Sequence, residues 1–227
     1  DDAINCIIMS PTRELAQQID QAMEGFSYYV PVSSVAVYGG NDGIRYEQER
    51  RGLALGADVV IATPGRLISH ISLGNVDLSR TSFFILDEAD RMLDMGFYND
   101  IMTIAKQLPK ERQTMLFSAT MPPEISDLVD SLLHDPVKVA AAPVSSPVEV
   151  IRQEVCLVDR GNKTALLIHL LEEENVKNAL VFTRTKHGAD KVARDLVKGG
   201  VTAAAIHGNK SQTARQESLR KFKAGEL

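Results

Sequence analysis

The sequence of 227 residues contains no tryptophan, only two cysteines and 5% aromatic residues. Cys6 and Cys156 both sit in strand-like apolar surroundings, without the spacing of a metal site or a disulfide framework, which fits a reducing compartment. The five histidines, at 70, 134, 169, 187 and 207, never pair at ligand spacing, so no zinc site is expected. Long hydrophobic runs are missing as well. Stretches such as 59–62 and 83–86 are strand-sized, too short to cross a membrane. The chain opens Asp1-Asp2-Ala3, with no basic segment ahead of an apolar one, so no secretory signal is expected and the expected location is cytoplasmic. It also opens without methionine and runs at once into the apolar stretch 4–9, which reads as an excerpt from a longer protein.

What is present has the balance of a soluble globular protein, with 44% hydrophobic and 24% charged residues, and this excludes disorder for the bulk of the chain. At about 150 residues per domain, the length corresponds to roughly one and a half domains. The net charge of −5 conceals an asymmetry. Residues 1–145 hold 11 basic and 20 acidic side chains, whereas residues 146–227 hold 14 and 10. Small domains often differ this much by chance, and a basic unit is only weak evidence for a polyanionic partner.

Short apolar runs alternate with amphipathic helical patterns. Strands are expected at 4–9, 32–38, 58–62, 82–86, 113–118 and 136–140, then at 151–158, 178–183 and 202–206. Leu15, Ile19, Met23 and Phe26 recur at helical spacing, as do Ile125, Leu128, Val129 and Leu132, and again Leu166, Leu167, Leu170 and Leu171. Strands rich in Val, Ile and Phe, separated by helices, imply βαβ units and a parallel sheet covered on both faces, an α/β fold. The segment 140–147 is small, uncharged and proline-bearing, and the charge balance changes sign there. It divides the chain into a first domain at 1–142, a linker at 143–147 and a second domain at 148–227.

The strongest chemical signal is the apolar run Phe83-Phe84-Ile85-Leu86 followed by Asp87-Glu88-Ala89-Asp90. Carboxylates at the end of a parallel strand lie on the sheet edge where ligands bind in open α/β folds. One can hold Mg²⁺ on nucleotide phosphates, and its neighbour can orient and deprotonate an attacking water. The alternative is a helix N-terminus decorated with acids, which favours negative charge in any case.

Four further motifs stand around it. Ser10-Pro11-Thr12-Arg13-Glu14-Leu15-Ala16 follows the first strand, Gly39-Gly40 the second, Thr63-Pro64-Gly65-Arg66 the third and Ser118-Ala119-Thr120 the fifth. In this order and spacing they resemble the DEAD-box ATP-dependent RNA helicases. Beyond the linker, Val181-Phe182-Thr183-Arg184-Thr185 is similar to motif IV of that family. Ala205-Ile206-His207-Gly208, with Gln212 and Arg215, is similar to its next strand and RNA-contacting helix. Met92-Leu93-Asp94-Met95-Gly96-Phe97 and Thr185-Lys186-His187-Gly188-Ala189-Asp190 resemble the bacterial RhlE-like subgroup in particular. The resemblance implies two RecA-like parallel-sheet domains in tandem, both truncated at their outer ends.

Each motif has a physical reading beside the one the resemblance implies. Thr12 and Arg13, where a strand turns into a helix, combine helix amides, a hydroxyl and a guanidinium into a phosphate clamp, or else form a plain N-cap with a solvated arginine. Gly39-Gly40 admits a ligand to the backbone, or makes an ordinary turn. By resemblance, Pro11, Thr12, Arg13, Gly39, Gly40, Thr63, Pro64, Gly65 and Arg66 grip the sugar-phosphate backbone of RNA, which implies binding without sequence preference. Stacking on bases is not the expected mode in a chain this poor in aromatics. By resemblance, too, Ser118 and Thr120 couple ATP hydrolysis to strand separation, with Asp90 as their partner. In the second domain Phe182 implies a nucleotide contact, although a phenylalanine closing a strand is more often core. Thr183, Arg184, Gln212 and Arg215 imply further RNA contacts.

The family's ATP site also needs a glycine-rich phosphate loop, G-x-x-x-x-G-K-[ST], which these 227 residues lack. Gly161-Asn162-Lys163-Thr164 is a decoy, since no glycine directly precedes its lysine. The loop and the adenine-reading Q motif are expected upstream of Asp1, and the arginine-rich motif facing the γ-phosphate downstream of Leu227. This stretch alone is therefore expected neither to hydrolyse ATP nor to unwind RNA, and its first sheet is expected to show an unpaired edge or gap. The competing reading is a non-catalytic RNA-binding or scaffold module on a helicase fold. A DNA helicase of the same superfamily is a third, disfavoured by Asp87-Glu88-Ala89-Asp90 occurring together with Pro11-Thr12-Arg13-Glu14-Leu15-Ala16.

Overall fold

The β-branched and apolar residues of the first 140 positions form a five-stranded parallel sheet in the computed structural model, which describes residues 3–39, 43–140, 152–173 and 176–227. The strands are β1 (Cys6–Met9), β2 (Ser34–Val37), β3 (Val59–Ala62), β4 (Phe83–Leu86) and β5 (Gln113–Leu116). Between and after them run α1 (Arg13–Ser27), α2 (Gly43–Ala54), α3 (Pro64–Ser72), α4 (Ala89–Asp94), α5 (Tyr98–Ala105) and α6 (Pro123–Leu132). The chain divides into two units, Asp1–Pro147 and Val148–Leu227. The linker expected at 143–147 lies outside the described residues, as does Gly40.

The strand order is β2-β3-β1-β4-β5. The chain leaves β1 in one direction to reach β2, then moves the other way through β3, β4 and β5. Right-handed crossovers therefore place α1 alone on one face and the later helices on the other. The packing follows this division. Ala16, Ile19 and Met23 of α1 cover Cys6, Ile8, Val59 and Ile61, while α3, α4, α5 and α6 bury Ile7, Met9, Val60, Phe84 and Leu86. Of the unpaired edge or gap anticipated from the sequence, the five strands show no gap, and β2 and β5 form the two edges.

Register is what positions the site. Met9 lies opposite both Ala62 and Leu86, Val37 opposite Ala62, and Leu86 opposite Leu116, so all five strands end in one row. The amides just beyond extend the ladder, Ser10 to Ala62, Thr63 to Val37, Asp87 to Met9 and Phe117 to Leu86. Every motif of the first unit thus begins at the same carboxyl edge.

Four strand expectations fail. Residues 136–140 join no sheet, and Val137 and Val139 are each 89% exposed. In the second unit, helices α7 (Lys163–Glu173) and α9 (Gln212–Lys223) form as expected, and α8 (Lys186–Lys198) lies between them. The described parts of 151–158, and 178–183 and 202–206, are not strands. Instead of pairing with each other, 179–185 and 201–207 line a cavity of about 730 Å³ together with residues of α8 and α9. Without a ladder no side chain is sandwiched between sheet and helix. Leu196 is accordingly the one buried hydrophobic residue among those described in this unit.

Candidate active site and nucleic-acid interface

Asp87 and Glu88 follow β4, beside the point where the chain's direction across the sheet reverses, which is where open α/β sheets form their ligand crevice. Glu88 adopts the left-handed region, φ 49° and ψ 51°. A glutamate there carries strain on the order of 1 kcal/mol or more, and the surrounding bonds hold it in place. The Asp87 amide donates to the Met9 carbonyl and the Ala89 amide to the Phe117 carbonyl, both at 2.9 Å, while Asp87 Oδ1 accepts the Glu88 amide at 2.9 Å. The turn therefore presents both carboxylates at the sheet edge. Glu88 also faces Arg91 Nη1 at 3.2 Å, an exposed pair of small energetic weight.

No group of three or more His, Cys, Asp or Glu side chains able to hold a metal occurs among the described residues. Two carboxylates on one turn fit Mg²⁺, which keeps most of its waters and takes its remaining ligands from bound phosphates.

Asp90, in the first turn of α4, joins this turn to the loop after β5. Its Oδ2 accepts the Thr120 hydroxyl at 2.7 Å and the Thr120 amide at 3.0 Å, and its Oδ1 accepts the Arg91 amide at 3.0 Å. Ser118 Oγ donates to the Thr120 carbonyl at 2.7 Å. Burial pushes the Asp90 carboxyl up, but the Thr120 hydroxyl, the Arg91 and Thr120 amides and the Ser118 hydroxyl together hold it below its ordinary value. Residues thirty positions apart are thus bonded directly.

Across β1 and β3 the same edge carries the phosphate-clamp candidates. Thr12 caps α1, its Oγ1 accepting the Leu15 amide at 3.2 Å, and Arg13 opens the helix. Thr63 stands at the N-cap of α3 without a side-chain cap bond, followed by Pro64, Gly65 and Arg66. Gly39 has φ +73°, a conformation a side chain would strain. Pro11, Thr12, Arg13, Gly39 and Thr63–Arg66 therefore lie along one rim.

The arginine of this rim is held from below by residues that belong to none of the sequence motifs. Glu49 of α2, 2% exposed, receives the Gly39 amide on Oε1 at 3.0 Å and Arg66 Nε on Oε2 at 2.6 Å. His70 Nε2 lies 3.1 Å from the same Oε2. In sequence Glu49 sits within Glu47-Gln48-Glu49-Arg50-Arg51, which reads as a solvated charged face. The available signal was positional, since Tyr46, Glu49 and Leu53 share one helical stripe.

The second unit's candidates form a separate group. Thr183 Oγ1 donates to the Thr185 carbonyl at 3.0 Å, and Thr185 caps α8 by accepting the Gly188 amide at 3.0 Å. Arg184 is exposed. Gln212 opens α9, and its Oε1 accepts Arg215 Nη1 at 3.2 Å. Phe182 is 92% exposed, which overturns its reading as a core residue, because the segment bearing it has no ladder to bury it in. Asp190 of α8 faces the His207 ring at 3.1 Å and Lys210 Nζ at 3.0 Å, and these two hold its carboxyl below the ordinary value.

Residues 1–128 match the family model described as DEAD/DEAH box helicase, and residues 162–227 match that described as Helicase conserved C-terminal domain. The chain is 39% identical over 222 residues to "ATP-dependent RNA helicase DeaD" of Escherichia coli strain K12, covering 97% of this chain and 35% of that protein. It is 39% identical over 225 residues to "RNA helicase CrhR" of Synechocystis, covering 99% and 45% respectively. Among solved structures it is similar to a DEAD box protein from the hyperthermophile Methanococcus jannaschii, with 34% identity, a TM-score of 0.59, and coverage of 100% of this chain and 60% of that one. The chain spans less than half the length of the curated relatives it matches.

Proposed function

The chain belongs to the DEAD-box helicase family, and from that premise we propose that the protein carrying it is an ATP-dependent RNA helicase, coupling RNA-stimulated ATP hydrolysis to local duplex opening. Bound ATP with Mg²⁺ supplies the γ-phosphoryl group and the charge that polarises it. Asp87 would hold the Mg²⁺ ion, and Glu88, fixed on its left-handed turn, would orient the attacking water and take its proton. Asp90 with Thr120 and Ser118 ties this turn to the loop after β5, so that hydrolysis and RNA grip shift together. The RNA backbone lies along Pro11, Thr12, Arg13, Gly39, Gly40 and Thr63–Arg66, contacts that carry no base information. In the second domain the family resemblance assigns Phe182 to nucleotide and Thr183, Arg184, Gln212 and Arg215 to RNA.

The observation that carries this reading is the single register row from which Asp87, Thr63 and the segment beginning at Ser10 all emerge. These 227 residues contain no phosphate loop, so ATP turnover by this stretch alone is expected to be absent. The test is release of one strand from a short RNA duplex by the longer protein. Release is expected with ATP and not with Glu88→Gln. A Glu88→Gln variant that still opens the duplex at the wild-type rate would overturn the assignment.

A further inference from the structure

We propose that Glu49 is a positioning residue for the nucleic-acid grip, a buried carboxylate that fixes the Arg66 guanidinium and the Gly39 backbone for contact with an RNA phosphate. The proposal rests on the reading that Arg66 and Gly39 meet RNA.

The carboxylate has an unusual setting. It is 2% exposed and His70 is fully buried, while Arg66 reaches the surface with 20% of its side chain exposed. Oε1 accepts the Gly39 amide, and Oε2 accepts Arg66 Nε and meets His70 Nε2. Asn75 Nδ2 stands 3.4 Å from His70 Nδ1 and donates to the Tyr46 hydroxyl at 2.9 Å. With the Asn75 amide facing Nδ1, the arrangement directs an Nε2–H toward Glu49, and His70 becomes its third donor. Three donors from three places, the loop after β2 and two turns of α3, thus converge on one buried anion.

Packing reinforces the arrangement. The Tyr46 ring stacks on His70 with centroids 4.7 Å apart and planes at 11°, and Arg66 Cζ lies 4.7 Å from the Tyr46 centroid. A Cβ on Gly39 would stand 3.3 Å from Arg66 Cδ, so the glycine also leaves room for the arginine stem. The geometry is not the two-bond fork by which arginine usually satisfies a carboxylate. Only Nε is engaged, and Nη2 is buried without a hydrogen-bond partner among the described residues. A guanidinium held by one edge keeps donors for a second anion, and a phosphate supplies it. Fixing that side chain before binding removes the rotamer entropy that ordering an arginine otherwise costs. Glu49 also balances the charge of Arg66, so this contact contributes direction more than net attraction.

Glu49→Gln tests the idea, because its amide presents donors where Oε2 accepted Arg66 and His70. Binding of a fluorescent single-stranded RNA oligonucleotide to the longer protein is compared for wild type, Glu49→Gln, Arg66→Ala and the double variant. Glu49→Gln is expected to weaken binding several-fold, Arg66→Ala at least as much, and the double variant by clearly less than the product of the two losses, because the share of Glu49 that acts through Arg66 is counted once while the share through Gly39 remains. A full additive loss in the double variant shows that Glu49 acts through the fold, and overturns the proposal. So does Glu49→Gln binding as well as wild type while Arg66→Ala is impaired. If Arg66→Ala leaves RNA affinity unchanged, the underlying reading of the rim fails instead, and the proposal with it. Should Glu49→Gln fail to fold, Glu49→Asp keeps the charge but withdraws the carboxylate by one methylene, and the same double-variant comparison applies.

Discussion

Asp90 accepts two hydrogen bonds from Thr120, one from its hydroxyl and one from its amide, and a single substitution separates the two. Thr120→Val keeps the amide and removes the hydroxyl, which is expected to lower stability by about 1 kcal/mol at pH 7. The folded Asp90 carboxyl lies below its ordinary value. Its contribution is therefore complete at neutral pH, begins to fade as pH falls into the ordinary range near ~4, and is lost below the folded value. Denaturant unfolding from pH 7 downwards checks both points: the gap between wild type and Thr120→Val should narrow on acidification. A gap that widens on acidification contradicts the assignment. The acidic turn of Asp87, Glu88 and Asp90 was legible as a candidate because carboxylates closing an apolar strand fall at a sheet edge, with acids at a helix N-terminus as the plain alternative. Glu49 was not, because burial inside a charged run depends on which helical face meets the sheet, and that is decided by residues elsewhere in the chain.

At the scale of elements, the five strands of the first unit were legible because parallel strands covered on both faces are written as continuous apolar runs. Their common end row was not legible, since register is fixed by pairing and not by any one strand. The misread strands mark the same boundary. Residues 178–183 and 202–206 have strand-like composition, but a strand exists only with a partner in hydrogen-bond register, and the described residues give them none. Helix α2 offers a sharp test of packing against propensity. A Cβ on Gly52 would lie 2.6 Å from Val35 Cγ2 on β2. Helix propensity alone favours alanine over glycine by about 1 kcal/mol. The contact predicts the opposite sign, with Gly52→Ala destabilising by about 1–3 kcal/mol in thermal or denaturant unfolding and Val35→Ala recovering part of the loss. A stabilised Gly52→Ala would show that α2 does not sit this close to β2.

For the whole molecule, the net charge of −5 says least, because it averages 11 basic and 20 acidic residues in 1–145 with 14 and 10 in the remainder. The two units also differ in what holds them. The first buries some two dozen hydrophobic residues around a sheet, whereas Leu196 alone is buried among those described in the second. No helix among the described residues is long and apolar enough to cross a membrane. What marks the family is neither charge nor core but the order of short motifs, which in the first unit stand at strand ends that the fold brings to one edge. The direct test of an RNA-dependent ATPase on this edge is inorganic phosphate released from ATP by the protein that carries the chain, with and without single-stranded RNA. Release is expected to rise with RNA, to saturate, and to vanish in Glu88→Gln. Release that ignores RNA, or that survives Glu88→Gln, would contradict that assignment.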